Sequence, residues 1–147
     1  MILTPNIWGP HIWKALHLIS FAYPNDPNEN QKKTYKSFFE TFYGVIPCSI
    51  CSANYQRHIK ELPITDDTMK NRDSLVKWVI DMHNLVNKEN GKPIYSYDDA
   101  INTVMNNFKD MESMSSVQTE TSTPNFVWIL IIILVLLVII AVIYKKN

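Results

Sequence analysis

Cysteine, glycine and excess charge of either sign are scarce in this sequence. Its 147 residues include two cysteines and three glycines, and 14 basic side chains balance 14 acidic ones. A balanced charge gives no electrostatic footprint for nucleic acid, so no nucleic-acid partner is predicted. The sequence also has no Gly-x-Gly-x-x-Gly motif, which excludes a Rossmann-type dinucleotide site.

Alternating apolar and polar residues, the pattern of half-buried strands, are missing except in a short stretch at 93–97. Apolar residues instead recur at helical spacing at about 8–23, 35–43, 47–60 and 75–90, and a shorter fifth helix is predicted at about 98–111. Pro24, Gly44 and Gly91 stand where three of these helices are expected to end. The predicted fold is all-α: a four-helix bundle plus a short fifth helix.

The one long apolar run lies near the C-terminus. Residues 126–144 contain no charge, polar amide or proline, and a helix of that length spans roughly 28 Å, the thickness of a hydrocarbon core. Residues 113–125 are polar and rich in Ser and Thr. We therefore predict a helical domain at 1–112, a flexible linker at 113–125, a transmembrane helix at 126–144 and a basic tail at 145–147.

The side of the membrane on which the domain lies is less directly indicated. The start of the chain lacks the basic residues of a signal peptide, which favours a domain left in the cytosol. Lys145 and Lys146, on the other side of the span, also prefer the cytosol by the positive-inside rule, so the two cues conflict. Translocating more than a hundred residues without a leader is the harder event. We predict a single-pass C-terminal anchor with the domain facing the cytosol.

The two cysteines form a Cys48-Ser-Ile-Cys51 motif directly after Pro47, which predicts a helix start at this point. Residues three apart on a helix lie close enough for a disulfide. The free N–H groups and the dipole at a helix N-terminus favour a thiolate, the nucleophile of thiol–disulfide exchange. The motif is therefore typical of a redox-active pair.

Other interpretations of the same two cysteines remain open from the spacing alone. Zinc could be held by both cysteines and two of His11, His17, His58 and His83, in which case the protein would be a membrane-anchored adaptor. A purely structural disulfide or a non-enzymatic tether is a further alternative. A thioredoxin-like domain is excluded, because no βαβ pattern flanks the motif.

Three segments resemble a known family in sequence and order. Residues 8–17 are similar to the first-helix signature of the FAD-linked sulfhydryl oxidases, the Erv/ALR family, and Tyr23-Pro24 follows at the family's distance. Pro47-Cys48-Ser49-Ile50-Cys51 resembles the redox site, and residues 78–88 and 91–95 resemble the second flavin signature. The resemblance covers most of residues 8–110 and looks closest to the short enzymes of large cytoplasmic DNA viruses.

The resemblance implies an FAD-dependent thiol oxidase that forms disulfides in partner proteins and passes electrons through FAD to O2, giving H2O2. It implies catalytic Cys48 and Cys51 and no metal ligands. The residues implied in FAD binding, carried over by motif, are Gly9, Trp13, His17, Tyr23, His83, Asn84, Val86, Asn87, Lys88, Lys92, Tyr95 and Lys109. Residues 1–112 would form the FAD-binding domain.

The sequence also departs from many relatives of the family. Ile80 and Tyr97 stand where a second, structural disulfide is common, and no third cysteine is present to serve as a shuttle. Electrons must then arrive directly from a thiol-containing client or a thioredoxin-like relay protein. The resemblance further implies a homodimer formed through the aromatic faces of the first two helices.

Overall fold

The computed structural model describes residues 4–119 and 126–146, and within these ranges it contains helices and loops but no strand. The all-α prediction is confirmed at that level, while the count of four bundle helices stays a prediction. The elements are α1 (Pro5–Phe21), α2 (Glu29–Thr41), a 3₁₀ segment (Phe42–Val45), α3 (Ser49–Glu61), α4 (Arg72–Glu89), α5 (Tyr97–Thr119) and α6 (Phe126–Lys146).

Two asparagines fix where helices begin. The side chain of Asn28 accepts a hydrogen bond from the Gln31 amide, and the Gln31 side chain accepts one from the Asn28 amide. This capping box starts α2 about six residues before the predicted aromatic segment. Asn71 caps α4 by accepting from the amide of Ser74. Gly91 follows α4 with a φ of 62°, a left-handed conformation that glycine adopts without strain.

The helix α5 is longer than predicted. It was expected to end near Met111 but continues to Thr119, so residues 113–119 are helical where the sequence predicted a flexible linker. The remainder of that linker, 120–125, lies outside the described residues. By its contacts the chain divides into two units, Met1–Asn106 and Asn107–Asn147. The predicted domain boundaries remain a proposal.

The core of the first unit is built from the inward faces of α1 to α4 and the loop before α4. The buried apolar side chains that form it are Leu16, Tyr23, Phe39, Tyr55, Ile64, Met69, Leu75, Trp78, Val79 and Met82. Helix α1 packs along α4. Within the core the indole of Trp78 donates a hydrogen bond to the carbonyl of Leu62, so this tryptophan is a core residue.

Tyr97 stands at one of the two positions where the resemblance leads us to expect a second disulfide, which this sequence cannot form. Its hydroxyl lies 3.0 Å from both carboxylate oxygens of Asp81, and Lys77 lies 5.8 Å from the centre of its ring. Burial raises the pKa of Asp81, and the hydrogen bond from Tyr97 opposes that shift. Polar contacts therefore hold the start of α5 to α4.

Helix α6 is apolar along its length. Residues Trp128–Lys146 have a mean hydropathy of 3.1, and every side chain described in that range is exposed to solvent. The length and apolar composition of this helix are sufficient for it to cross a membrane.

Candidate functional site

The two cysteines form a disulfide at the N-terminus of α3. Cys48 is the N-cap of the helix and not part of its first turn as predicted, because its extended backbone (φ −160°, ψ 113°) precedes Ser49. The Cα atoms of Cys48 and Cys51 are 5.2 Å apart. The Cys51 amide donates to Cys48 Sγ at 3.2 Å, so the helix N-terminus is directed at this sulfur.

The zinc alternative requires both sulfurs as thiolates, but here they are bonded to each other. Among the described residues no group of three or more His, Cys, Asp or Glu side chains is placed to hold a metal. The geometry at α3 is that of a dithiol–disulfide pair.

Trp13, His17 and His83 form a compact cluster between α1 and α4. The rings of Trp13 and His83 are stacked, with centroids 4.0 Å apart and planes 7° from parallel. His17 Nε2 and His83 Nδ1 are 3.0 Å apart, so one hydrogen is shared between two neutral imidazoles. His17 Nδ1 is buried and has no hydrogen-bond partner, which is unusual for a buried polar atom.

Both histidines of this cluster are held in the neutral form. Burial lowers the pKa of His17 to about 4. Burial also lowers the pKa of His83 to about 4, with further lowering from the adjacent His17 and from the positive charge of Lys92. Lys92 follows α4, and its positive charge disfavours protonation of His83.

The end of α4 and the loop after it are held by asparagine side chains. The amide nitrogen of Asn84 donates to the Tyr95 carbonyl at 2.9 Å, and its oxygen accepts from the Tyr95 amide at 3.1 Å. Both hydrogen-bonding groups of Asn84 are thus engaged with the loop backbone. Asn87 is buried, and its backbone carbonyl accepts a hydrogen bond from the backbone amide of Lys92 at 2.8 Å. Lys88 and Lys92 remain exposed.

Tyr23 and Val86, also expected to bind a cofactor, are engaged in contacts outside this cluster. Tyr23 is fully buried in the core, where its hydroxyl donates to the Met69 carbonyl at 2.9 Å. The carbonyl of Val86 caps the end of α4 by accepting from Asn90. Apart from its chain neighbours and the backbone of its own helix, no atom described lies within 4 Å of a Cβ added at Gly9. Lys109 is exposed on α5, in the second unit of the chain.

A cluster of charges that the sequence did not reveal connects α3 to α4. His58 is 1% exposed, and its Nε2 lies 2.9 Å from a carboxylate oxygen of Glu89. Arg57 pairs with Glu89 and, at 3.3 Å, with Glu61. The hydrogen bond from Arg57 lowers the pKa of Glu89, and the bond from His58 adds to the effect. Glu89 is 32 residues from Arg57 and 31 from His58, so no local pattern indicates these two pairings.

Comparison with known proteins identifies the matching family. The model of the Erv1/Alr family matches residues 10–109. The probable FAD-linked sulfhydryl oxidase of Acanthamoeba polyphaga mimivirus is 38% identical over 102 residues, covering 69% of this chain and 71% of the relative. The FAD-linked sulfhydryl oxidase of African swine fever virus, isolate Pig/Kenya/KEN-50/1950, is 30% identical, covering 61% and 73%.

The mitochondrial FAD-linked sulfhydryl oxidase of Saccharomyces cerevisiae is 32% identical, covering 58% of this chain but only 43% of the yeast protein. The crystal structure of the yeast Erv1 core is similar to this fold with a TM-score of 0.60 and 28% identity, covering 67% of this chain and 80% of that structure. The segment that the family model matches, residues 10–109, includes the disulfide, the histidine cluster and the loop after α4.

Proposed function

This chain belongs to the Erv1/Alr family, and from that premise we propose that it is an FAD-dependent thiol oxidase whose Cys48–Cys51 disulfide accepts electrons from the thiols of other proteins. The observation that carries the proposal is the disulfide closed across the N-terminus of α3, inside the matched segment. Two sulfurs at an open helix end form a site for thiol–disulfide exchange.

The residues present fit FAD. Trp13, His17 and His83 provide a wall of aromatic rings for an adenine, and the unpartnered His17 Nδ1 offers a polar contact. Lys88 and Lys92 supply positive charge for the diphosphate, and Asn84 orients the loop that carries Lys92. The roles of Gly9, Tyr23, Val86, Asn87, Tyr95 and Lys109 in binding stay predictions. Bound FAD supplies two-electron oxidation of the dithiol and transfer to O2, which gives H2O2.

The protein's own contribution to the reaction is thiol chemistry at α3. A substrate thiolate attacks one sulfur of the Cys48–Cys51 disulfide, and the other cysteine leaves as a thiolate. A second substrate thiol then displaces the enzyme from the mixed disulfide. The Cys51 amide and the N-terminus of α3 stabilise a thiolate at Cys48, which makes this sulfur a good leaving group.

We further propose that α6 anchors the enzyme in a membrane and that the protein is a homodimer. The anchor rests on an apolar helix long enough to span a bilayer. The dimer rests on the aromatic side chains of α2, of which Phe38 is 36% exposed. The substrates are thiols of client or relay proteins in a reducing compartment, where disulfides seldom form unaided.

Replacing either cysteine by serine tests this function directly. We expect the full chain in detergent to be yellow and to consume O2 when given dithiothreitol. Cys48→Ser and Cys51→Ser should retain the flavin absorbance but lose at least about a hundredfold in turnover, because no disulfide can form.

Two outcomes would contradict the proposal. A folded wild-type protein that takes up no FAD when the cofactor is supplied would exclude the flavin oxidase. Continued oxygen uptake by Cys51→Ser with dithiothreitol would exclude the Cys48–Cys51 pair as its redox site.

A further inference from the structure

Exposed apolar side chains border the disulfide. Val45 is 72% exposed, Ile50 74% and Tyr43 36%. We call these three residues the apolar rim. They lie on the 3₁₀ segment and on the first turn of α3, which are held together because the Ser52 hydroxyl donates to the Tyr43 carbonyl at 2.8 Å. Apolar side chains left exposed beside a reactive group are typical of a surface that another molecule covers.

The chain around the disulfide also carries no charge. From Thr41 to Gln56 there is no Asp, Glu, Lys, Arg or His, although these residues are frequent on either side. Glu40 and Arg57 are the first charges before and after. A small charged thiol such as glutathione has carboxylate and ammonium groups, for which residues 41–56 themselves offer no ionic partner; the charges of Glu40 and Lys60 lie farther along, in the groove described next.

A shallow groove continues from the rim along α3. It has a volume of about 190 Å³ and is lined by Glu40, Tyr43, Gln56, Ile59 and Lys60. Tyr43 belongs to both the rim and the groove. An extended polypeptide that presents a cysteine to the disulfide has neighbouring side chains that can contact this groove, whereas a small thiol has none.

We propose that the apolar rim selects the thiol substrate: a cysteine pair in a polypeptide segment whose neighbouring side chains are apolar. This inference rests on the thiol oxidase function proposed above. The substrate thiol must reach the sulfurs across the rim, so Val45 and Ile50 are covered during the reaction.

The electrons and protons of the reaction are exchanged between the two thiols of the substrate and the two cysteines of the enzyme. A substrate thiolate attacks one enzyme sulfur, which breaks the Cys48–Cys51 bond and forms a mixed disulfide. The second substrate thiol, losing its proton, breaks the mixed disulfide and leaves the substrate oxidised. Two electrons remain in the enzyme dithiol, and the two protons pass to the enzyme thiols.

Two synthetic peptides with the same cysteine pair test the selection. In one the neighbouring residues are leucine and valine, and in the other they are serine with one lysine and one glutamate. With the full-length holoenzyme in detergent, we expect kcat/KM to be about five- to tenfold higher for the apolar peptide, with dithiothreitol as the reference thiol.

A matched set of variants assigns this preference to the rim. Val45→Ser should reduce the preference to about twofold, and Val45→Leu should retain it, because only the apolar area differs. Val45 is largely exposed, so neither change disturbs the core. Ile7→Ser, at an apolar residue on α1 that is 59% exposed, should leave the preference unchanged and controls for the loss of an exposed apolar side chain away from the rim.

The failure of this inference can be distinguished from the failure of the proposed function. Equal kcat/KM for the two peptides, with dithiothreitol turnover intact, overturns the role of the rim and leaves the oxidase in place. An equal loss of preference in Ile7→Ser also overturns it. Absence of turnover with dithiothreitol overturns the thiol oxidase function itself.

Discussion

At the scale of single residues, the His17–His83 pair links the candidate cofactor site to pH. Both imidazoles have a folded-state pKa of about 4 against an ordinary value of 6.5. The unfolded chain therefore binds more protons than the folded chain between these two values. The pair's contribution to stability is complete above pH 6.5 and is lost as the pH falls toward 4.

We expect the free energy of unfolding to fall between pH 6.5 and pH 4.5 in urea titrations of the full chain. His17→Gln should flatten this dependence, because it removes one of the two titrating imidazoles. The loss of unfolding free energy attributable to His17 is at most about 3 kcal/mol over the whole window. His11→Gln, at an exposed position of α1, is the control and should leave the slope unchanged. A slope equal to that of wild type in His17→Gln would contradict the assignment.

At the scale of elements, His58 and Glu89 join the redox helix α3 to the end of α4. The turn that follows Glu89 leads to Lys92, which the proposed function places on the cofactor. His58 is buried, and the Glu89 carboxylate provides a partner for its Nε2, while its Nδ1 has no hydrogen-bond partner. The pairing fixes the separation between the two helices that carry the disulfide and the cofactor residues.

A double-mutant cycle measures this connection. We expect His58→Phe and Glu89→Ala to show a coupling of about 1 kcal/mol in the free energy of unfolding, because each removes the same part-buried hydrogen bond. The control cycle uses Lys32 and Glu29, an exposed pair one helical turn apart, and should show no measurable coupling. Additive effects of the His58 and Glu89 changes would exclude the connection.

At the scale of the whole molecule, the apolar α6 bears on where the oxidase works. Trp128 and Tyr144 lie near its two ends, and amphipathic rings of this kind favour the membrane interface. Lys145 and Lys146 end the helix with positive charge. The positive-inside rule favours these lysines in the cytosol and the N-terminal domain on the other side, whereas we propose that the domain faces the cytosol, so the two cues conflict.

Protease protection tests this orientation. We expect an epitope at the N-terminus of the full chain, inserted into closed microsomes, to be digested by added protease. Deletion of residues 126–147 should release the protein into the soluble fraction. A protected epitope that is lost only after detergent is added would reverse the orientation, and a full-length chain that carbonate extracts would exclude the anchor.

Much of the local structure follows from short-range patterns in the sequence. The periodicity of α4 and its end at Gly91 were predicted, because side-chain spacing and a glycine turn act over a few residues. The aromatic pattern places the start of α2 about six residues too far along the chain, because the capping box that begins the helix lies in a polar segment before the aromatic face. The sequence places the end of α5 near Met111 and not at Thr119, because polar composition alone does not distinguish a solvated helix from a linker.

The sequence by itself determined the helical fold class, the Cys48–Cys51 motif and the apolar C-terminal helix, since each is encoded by residues close together in the chain. Only the tertiary structure decided that Asn84 holds the loop at Tyr95 and that Tyr23 belongs to the core. It also decided that His58 meets Glu89. These contacts join residues between 11 and 46 positions apart, and their pairing depends on how the helices pack and not on any local pattern.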